Sequence, residues 1–404
     1  MSSRGAELCL LCRGAKGLCG KRSCPVLALW RAVESVKPPS SPELEELSPP
    51  SVFVGRVGYP KVRVAPAVTT GGGSAELYEK PELWLEMPLE EVLRMRLSLV
   101  RGVVQADVRK PRILEEITLA AMSSKPVELD IRFEKPPKPR VHLDLFSPPF
   151  GPAGVAEKVR VLSNPAVPKP LERVHGDESL KAEEAVVYLY ESGVPVSQIQ
   201  RAFSVGALGS ARLRRLVPTR WSITAVDDIL SRHLLRQVRR FEQLDSYLFF
   251  ERRFADNTFV AILAPGSWSY EWIEAWFPHT TWNPGIEVSV EGDWEGFRGR
   301  DSYASLGGCY YAARLATAEY LVKVRRQATA ILLREIYEGF FLPIGVWFVR
   351  ENIRELFRSQ PERYSSLREV LERLSRSTRL PLSTWLKASR LLRDMLLQRK
   401  LEVG

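Results

Sequence analysis

A chain of 404 residues, 45% hydrophobic and 26% charged, has enough apolar material for two or three domains with proper cores. Its formal net charge of +10 favours a polyanionic partner such as DNA, RNA or an anionic membrane surface. No run of 18 apolar residues and no charged-then-apolar leader occurs, so a cytoplasmic protein is expected.

Four of the five cysteines, Cys9, Cys12, Cys19 and Cys24, crowd into sixteen residues, and Cys309 stands alone. Four thiolates on one loop suit a tetrahedral zinc ion, which would supply the folding energy that so short a segment lacks. Gly14, Gly17 and Gly20 permit the turns such a knuckle needs, and Arg13, Lys16, Lys21 and Arg22 give it a positive rim. A pair of disulfides and an iron–sulfur cluster are the alternatives that the same cysteines leave open. Residues 1–36 are thus expected to form a zinc knuckle and short helix. Residues 37–50, rich in proline, serine and glutamate, read as a linker.

Residues 51–57 and 61–64 read as a strand pair around Gly58-Tyr59-Pro60, and the Gly71-Gly72-Gly73 triplet as a loop. Helical periodicity covers 88–101 and 112–122; alternation predicts strands at 127–133 and 141–146. A proline-rich corner follows at 145–152. Residues 178–191 form a helix that Gly193-Val194-Pro195 ends. Residues 196–203, 204–209 and 210–216 then fit either a loose helix-turn-helix or a plain helical hairpin.

Between Arg201 and Arg240 lie nine arginines, no lysine, and only two acids, Asp227 and Asp228. Guanidinium forks match paired phosphate oxygens. Pro218 separates two helical pieces, and Thr224 with Asp227 supplies a capping pair for the second. Val226, Ile229, Leu230, Leu234, Val238 and Phe241 make its apolar face, which turns Arg232, Arg236, Arg239 and Arg240 outward. Together with Arg212, Arg214, Arg215 and Arg220 these are the expected phosphate contacts; a solvated helix face is the plainer alternative.

Farther on, residues 248–253 and 258–263 form a hairpin. Trp268, Trp272, Trp276, Trp282 and Trp294 follow within 27 residues, read as helical core packing or as a base-stacking pocket. The tail from Pro361 reads as two helices, the last capped by Ser383. Among chemistry-bearing residues, His233 with Asp227 and Asp228 suggests a metal-dependent nuclease, although carboxylates in a helix's first turn are favoured anyway. His175, Asp177, Arg220, Trp221, Arg300 and Asp301 form a second candidate pocket, all of them polar or aromatic residues beside turns.

The segments CLLCRGAKGLCGKRSCP, LVPTRWSITAVDD, GGCYYAARLATAEYLVKVRRQA and PIGVWFVRE together make the chain resemble the archaeal Nre-type DNA repair proteins over nearly its whole length. The resemblance implies a DNA damage response role, a zinc finger ligated by Cys9, Cys12, Cys19 and Cys24, and a C-terminal peptide that binds the sliding clamp. Gln398 and Leu401 match the glutamine and aliphatic positions of such a peptide, whereas Val403 and Gly404 stand where it carries two aromatics. The expected fold is α+β: the knuckle, the linker, a mixed N-terminal region 51–245 with basic helices, a C-terminal α/β region 246–360, and a helical tail 361–404. The expected function is a DNA-binding repair factor. An enzyme acting on DNA or nucleotides and an RNA-binding or translation-linked factor are the alternatives.

Overall fold

The computed structural model describes residues 12, 39–70, 75–110, 114–138, 151–280, 283, 285–338, 340 and 344–402. It is a mixed α+β fold with two six-stranded sheets and eleven helices among the described residues. Two compact units divide between Leu230 and Ser231, fifteen residues before the 245/246 boundary expected from sequence.

The first unit, Ala28–Leu230, holds β1 (Glu43–Ser48), β2 (Val52–Val54), β3 (Lys61–Thr69), β4 (Leu99–Asp107), β5 (Val127–Phe133) and β6 (Ala153–Val161). Their order is β1-β5-β6-β4-β3-β2, antiparallel except for the β4–β6 pair. In β5, VELDIRF alternates, and Val127, Leu129, Ile131 and Phe133 all point into the core. The expected linker is only partly one: Glu43–Ser48 pairs along β5, so half of residues 37–50 belongs to the sheet. Its acids lie on an exposed edge strand, where charge deters further pairing.

Helices α1 (Leu89–Leu97), α2 (Glu115–Met122), α3 (Lys169–Gly176), α4 (Ala182–Glu191) and α5 (Val196–Ser204) complete this unit. The helix expected to reach residue 101 stops at Leu97, because the β-branched run after it pairs as β4. Residues 210–216 make turns rather than a second helix, so there is no helix-turn-helix. Helix α6 (Thr219–Val238) starts directly after Pro218. Thr224, expected as its cap, is instead buried inside it and donates its hydroxyl to the Arg220 carbonyl at 3.3 Å.

In Ser231–Gly404 the strands are β7 (Tyr247–Phe254), β8 (Asn257–Ala264), β9 (Ser269–Trp276), β10 (Ser289–Glu295), β11 (Thr329–Ile336) and β12 (Glu362–Tyr364), ordered β10-β9-β11-β8-β7-β12. Every residue of β8, NTFVAILA, is buried, as a central strand covered on both faces requires. Ala255 and Asp256, both with φ near +50°, make the two-residue turn that matches hairpin twist. Trp268 and Trp272, expected on a helix, lie just before and within β9 and are fully buried. A spacing of four serves one face of a strand as well as one face of a helix.

Helices α7 (Gly308–Val324) and α8 (Trp347–Leu356) pack together, with Phe348 against Phe259. On the other face lie α9 (Leu367–Ser377), α10 (Leu382–Ala388) and α11 (Arg390–Glu402). Leu367, Val370, Leu374, Trp385, Leu391 and Leu392 meet Phe249, Val260, Ile262, Ile273, Ile331 and Leu333 in one core cluster. The tail is therefore a layer of the domain, three helices and a strand rather than two helices. Two sheet carboxylates fasten it. Glu271 accepts from Ser389 Oγ, Arg390 N and Leu391 N, the donors opening α11; Glu335 accepts from Arg379 N and Leu380 N.

Candidate nucleic-acid interface

Three segments of the first unit are tied together through their backbones. Gly55 N donates to Arg63 O, Val108 N to Pro60 O, and Leu216 N to Val108 O; Val54 N donates to the Thr219 hydroxyl at the start of α6. The turn between β2 and β3, the end of β4, and the loop into α6 are thus brought side by side. Their apolar residues Val54, Val62, Val64, Val108 and Leu216 share one core cluster. Their cations point the other way: Arg56, Lys61, Arg63, Arg109, Lys110, Arg212, Arg215 and Arg220 are all exposed. Lys61 and Arg63 share a face because they are two apart on β3. Arg56, Lys61, Arg63, Arg109, Arg212 and Arg215 make no ion pair among the described residues. The only acid in these stretches, Asp107, accepts from Arg109 N.

Of the arginines expected to meet phosphate, Arg212, Arg215 and Arg220 meet the requirement of exposure. Arg214 does not. Its guanidinium donates to the carbonyls of Gly209, His175 and Asp177 and locks the loop after α5 onto the end of α3. Arg232 and Arg236 on α6, and Arg240 in the turn after it, are exposed. Arg239 is turned partly inward, 5.7 Å over the Phe297 ring, and burial lowers its pKa. The Arg56, Lys61, Arg63 and Arg109 group was missed in the sequence because the nine-arginine count drew attention to residues 201–240. The signal was present: Gly58-Tyr59-Pro60 marks a turn with cations on both sides.

Within the expected catalytic trio, Asp227 and His233 each have a neighbour outside it. Asp227 is fully buried and accepts from Gln200 Nε2 at 2.8 Å, joining α6 to α5. His233 Nδ1 lies 3.3 Å from an Arg236 nitrogen one turn along the helix. Asp228 is half-buried, and no group of three His, Cys, Asp or Glu side chains placed to hold a metal occurs among the described residues.

Most members of the second candidate pocket have local duties. His175 Nδ1 lies 2.9 Å from the Ala207 carbonyl. Asp177 accepts from Ser179 N, Ser179 Oγ and Leu180 N, which hold its carboxyl below the usual range. Arg300 is paired with Asp293 at 2.9 Å; burial pushes the Asp293 pKa up, but the donors from Arg300 and Ser305 outweigh it. Asp301 is exposed. Trp221 stands apart from this set: it is 47% exposed, and its ring centroid lies 5.7 Å from that of Tyr59, itself 51% exposed.

Cys9, Cys19 and Cys24 lie outside the described residues, as does the expected strand at 141–146; Cys12 is described and buried. Gln398 and Leu401 both fall on α11, the last helix of the sheet-bound tail. No helix among the described residues is long and apolar enough to cross a membrane.

Two family descriptions match: "Archaeal Nre, N-terminal" over residues 18–283 and "Archaeal Nre, C-terminal" over residues 295–403. A DNA repair protein NreB of Archaeoglobus fulgidus is 46% identical over 387 residues, covering 95% of this chain and 97% of the relative. A DNA repair protein NreA of the same organism is 36% identical over 372 residues, covering 91% and 93%. The NreA of Haloferax volcanii is 36% identical over 326 residues, 77% of each chain. No solved structure matches. With both regions matched and identity sustained along nearly the whole length, the chain belongs to the archaeal Nre family.

Proposed function

We propose that this protein is a DNA repair factor that binds DNA through the exposed cations of its first unit, with Arg232 and Arg236 of α6 and Arg240 just after it as further phosphate contacts. The repair role comes from the relatives' names. The observation that carries the DNA contact is the cluster of Arg56, Lys61, Arg63, Arg109, Arg212 and Arg215, exposed and without ion pairs among the described residues. A guanidinium or ammonium group with no carboxylate partner is available to phosphate oxygens. Binding measured against salt tests it: each phosphate neutralised releases counterions, so affinity falls with a log–log slope of about −0.9 per contact on duplex DNA. Binding that ignores salt, or no binding, removes the reading, and a matched RNA competitor separates it from the RNA-binding alternative.

Two partners accompany this reading. The four thiolates of Cys9, Cys12, Cys19 and Cys24 have the donor chemistry of a single tetrahedral zinc. Zinc released on thiol modification, with no iron, is the expected result. A sliding-clamp contact rests on the family resemblance and on Gln398 and Leu401. Because the aromatic anchors of such peptides are replaced, affinity well below that of a full motif is expected, and its loss on deleting 398–404 is the check.

A further inference from the structure

Trp221 and Tyr59 are large aromatics held at the surface, where the hydrophobic effect alone would not leave them. Neither is a loose end. Trp221 sits in the first turn of α6, its amide bonded to the Pro218 carbonyl. Tyr59 sits in the β2–β3 turn that the Lys61 N to Gly58 O bond closes. Gly58 has φ +85°, and a Cβ there would fall 2.8 Å from the Lys61 carbonyl oxygen, so this tight turn requires glycine. Two rigid backbone devices therefore present the two rings. Both rings are about half exposed and are tilted 52° to each other rather than stacked on one another. Val57, 83% exposed, extends the apolar surface in the same turn.

We infer that Tyr59 and Trp221 form a stacking platform for an unpaired base of single-stranded DNA, whose phosphates follow Arg56, Lys61, Arg63, Arg109, Arg215 and Arg220. This deepens the proposed DNA contact and rests on it. The choice of occupant follows from charge and shape together. Exposed aromatics rimmed by cations match a ligand that offers both a π-face and a phosphate chain. A paired duplex keeps its base faces stacked on one another and would engage the cations alone. An apolar protein partner would leave Arg56, Lys61 and Arg63, which make no ion pair among the described residues, without a counter-charge.

The test uses the full chain and fluorescence polarisation with an oligothymidylate strand, the same strand with abasic positions, and a hairpin duplex. Wild type is expected to bind the normal strand about tenfold tighter than the abasic one, since both carry the same phosphates. Trp221→Leu keeps apolar bulk without a π-face. It should lose about that factor on the normal strand, lose nothing on the abasic strand or the hairpin, and regain most of it as Trp221→Phe. Tyr59→Leu provides an independent second variant should the first fail to fold. Equal wild-type affinity for normal and abasic strands overturns the platform while leaving salt-dependent DNA binding intact. So does a Trp221→Leu loss that is the same on all three ligands; a matched RNA strand displacing the DNA would instead overturn the choice of DNA as the ligand. Absence of salt-dependent binding to any DNA would instead remove the underlying function.

Discussion

The two units use arginine in opposite ways. In Ser231–Gly404 several guanidinium groups are structural. Arg314 is 2% exposed and pairs with Glu295 at 2.6 Å, while Arg334 pairs with Glu274 at 3.0 Å between buried partners. Arg354 reaches Glu319 and Glu351, and Arg373 reaches Glu251 and Glu362. In Ala28–Leu230 the exposed Arg56, Arg63, Arg109 and Arg215 have no such partners among the described residues. A tally of basic residues therefore does not locate a phosphate-binding surface; what locates it is which cations the fold leaves without carboxylates.

The contrast is sharpest at Arg314. Its Nε donates to Ser231 Oγ, its guanidinium lies over the Tyr310 and Tyr311 rings, and Glu295 also accepts from Trp268 and Tyr310. Arg314→Ala should destabilise the unit by about 3–5 kcal/mol in denaturant titration, because it strands a buried carboxylate. A loss under 1 kcal/mol would mean that the pair is not the anchor its geometry describes.

Glu271 gives a smaller effect with a pH signature. Glu271→Ala leaves the Ser389 hydroxyl and two amides of α11 without their acceptor, at a cost of about 2 kcal/mol. Burial raises the Glu271 pKa despite those three donors. The native state thus holds the proton more tightly than the unfolded chain. Its contribution is fully present below the unfolded pKa and declines as pH rises through the folded one. The stability difference between wild type and Glu271→Gln should accordingly widen as pH falls through the carboxylate range; a difference that narrows would contradict the assignment.

Much of the fold was legible where side-chain period and packing agree. The alternation of β5, the hairpin at Ala255-Asp256 and the buried run of β8 all read directly. The misreadings have physical causes. Glu43–Ser48 looked like a linker because an edge strand is charged for solubility, and its partner β5 lies far along the chain. The tail looked autonomous because α9 is amphipathic, with a proper capping box at Ser366 and Glu369, and nothing local reveals Glu271 and Glu335 as its fasteners. Ser366→Ala should cost about 1 kcal/mol, the usual worth of a cap. The candidate site was legible only in part: Arg212, Arg215 and Arg220 stood out by density, whereas Arg56, Arg63 and Arg109 needed the β3–β4 register and the Val108–Leu216 bond to join them.

The smallest stability effect is the one that completes the comparison. Arg63, Arg109 and Arg215 are exposed and make no ion pair among the described residues, so replacing each by Ala should move the unfolding free energy by no more than about 0.5 kcal/mol. The same substitutions should flatten the log–log salt dependence of DNA binding by about one per contact removed. Arginine loss then acts on stability at Arg314, and on DNA binding rather than stability at Arg63. A salt slope that survives the triple substitution, with the fold intact, would move the phosphate contacts to Arg232, Arg236 and Arg240, whose exposure equally permits it.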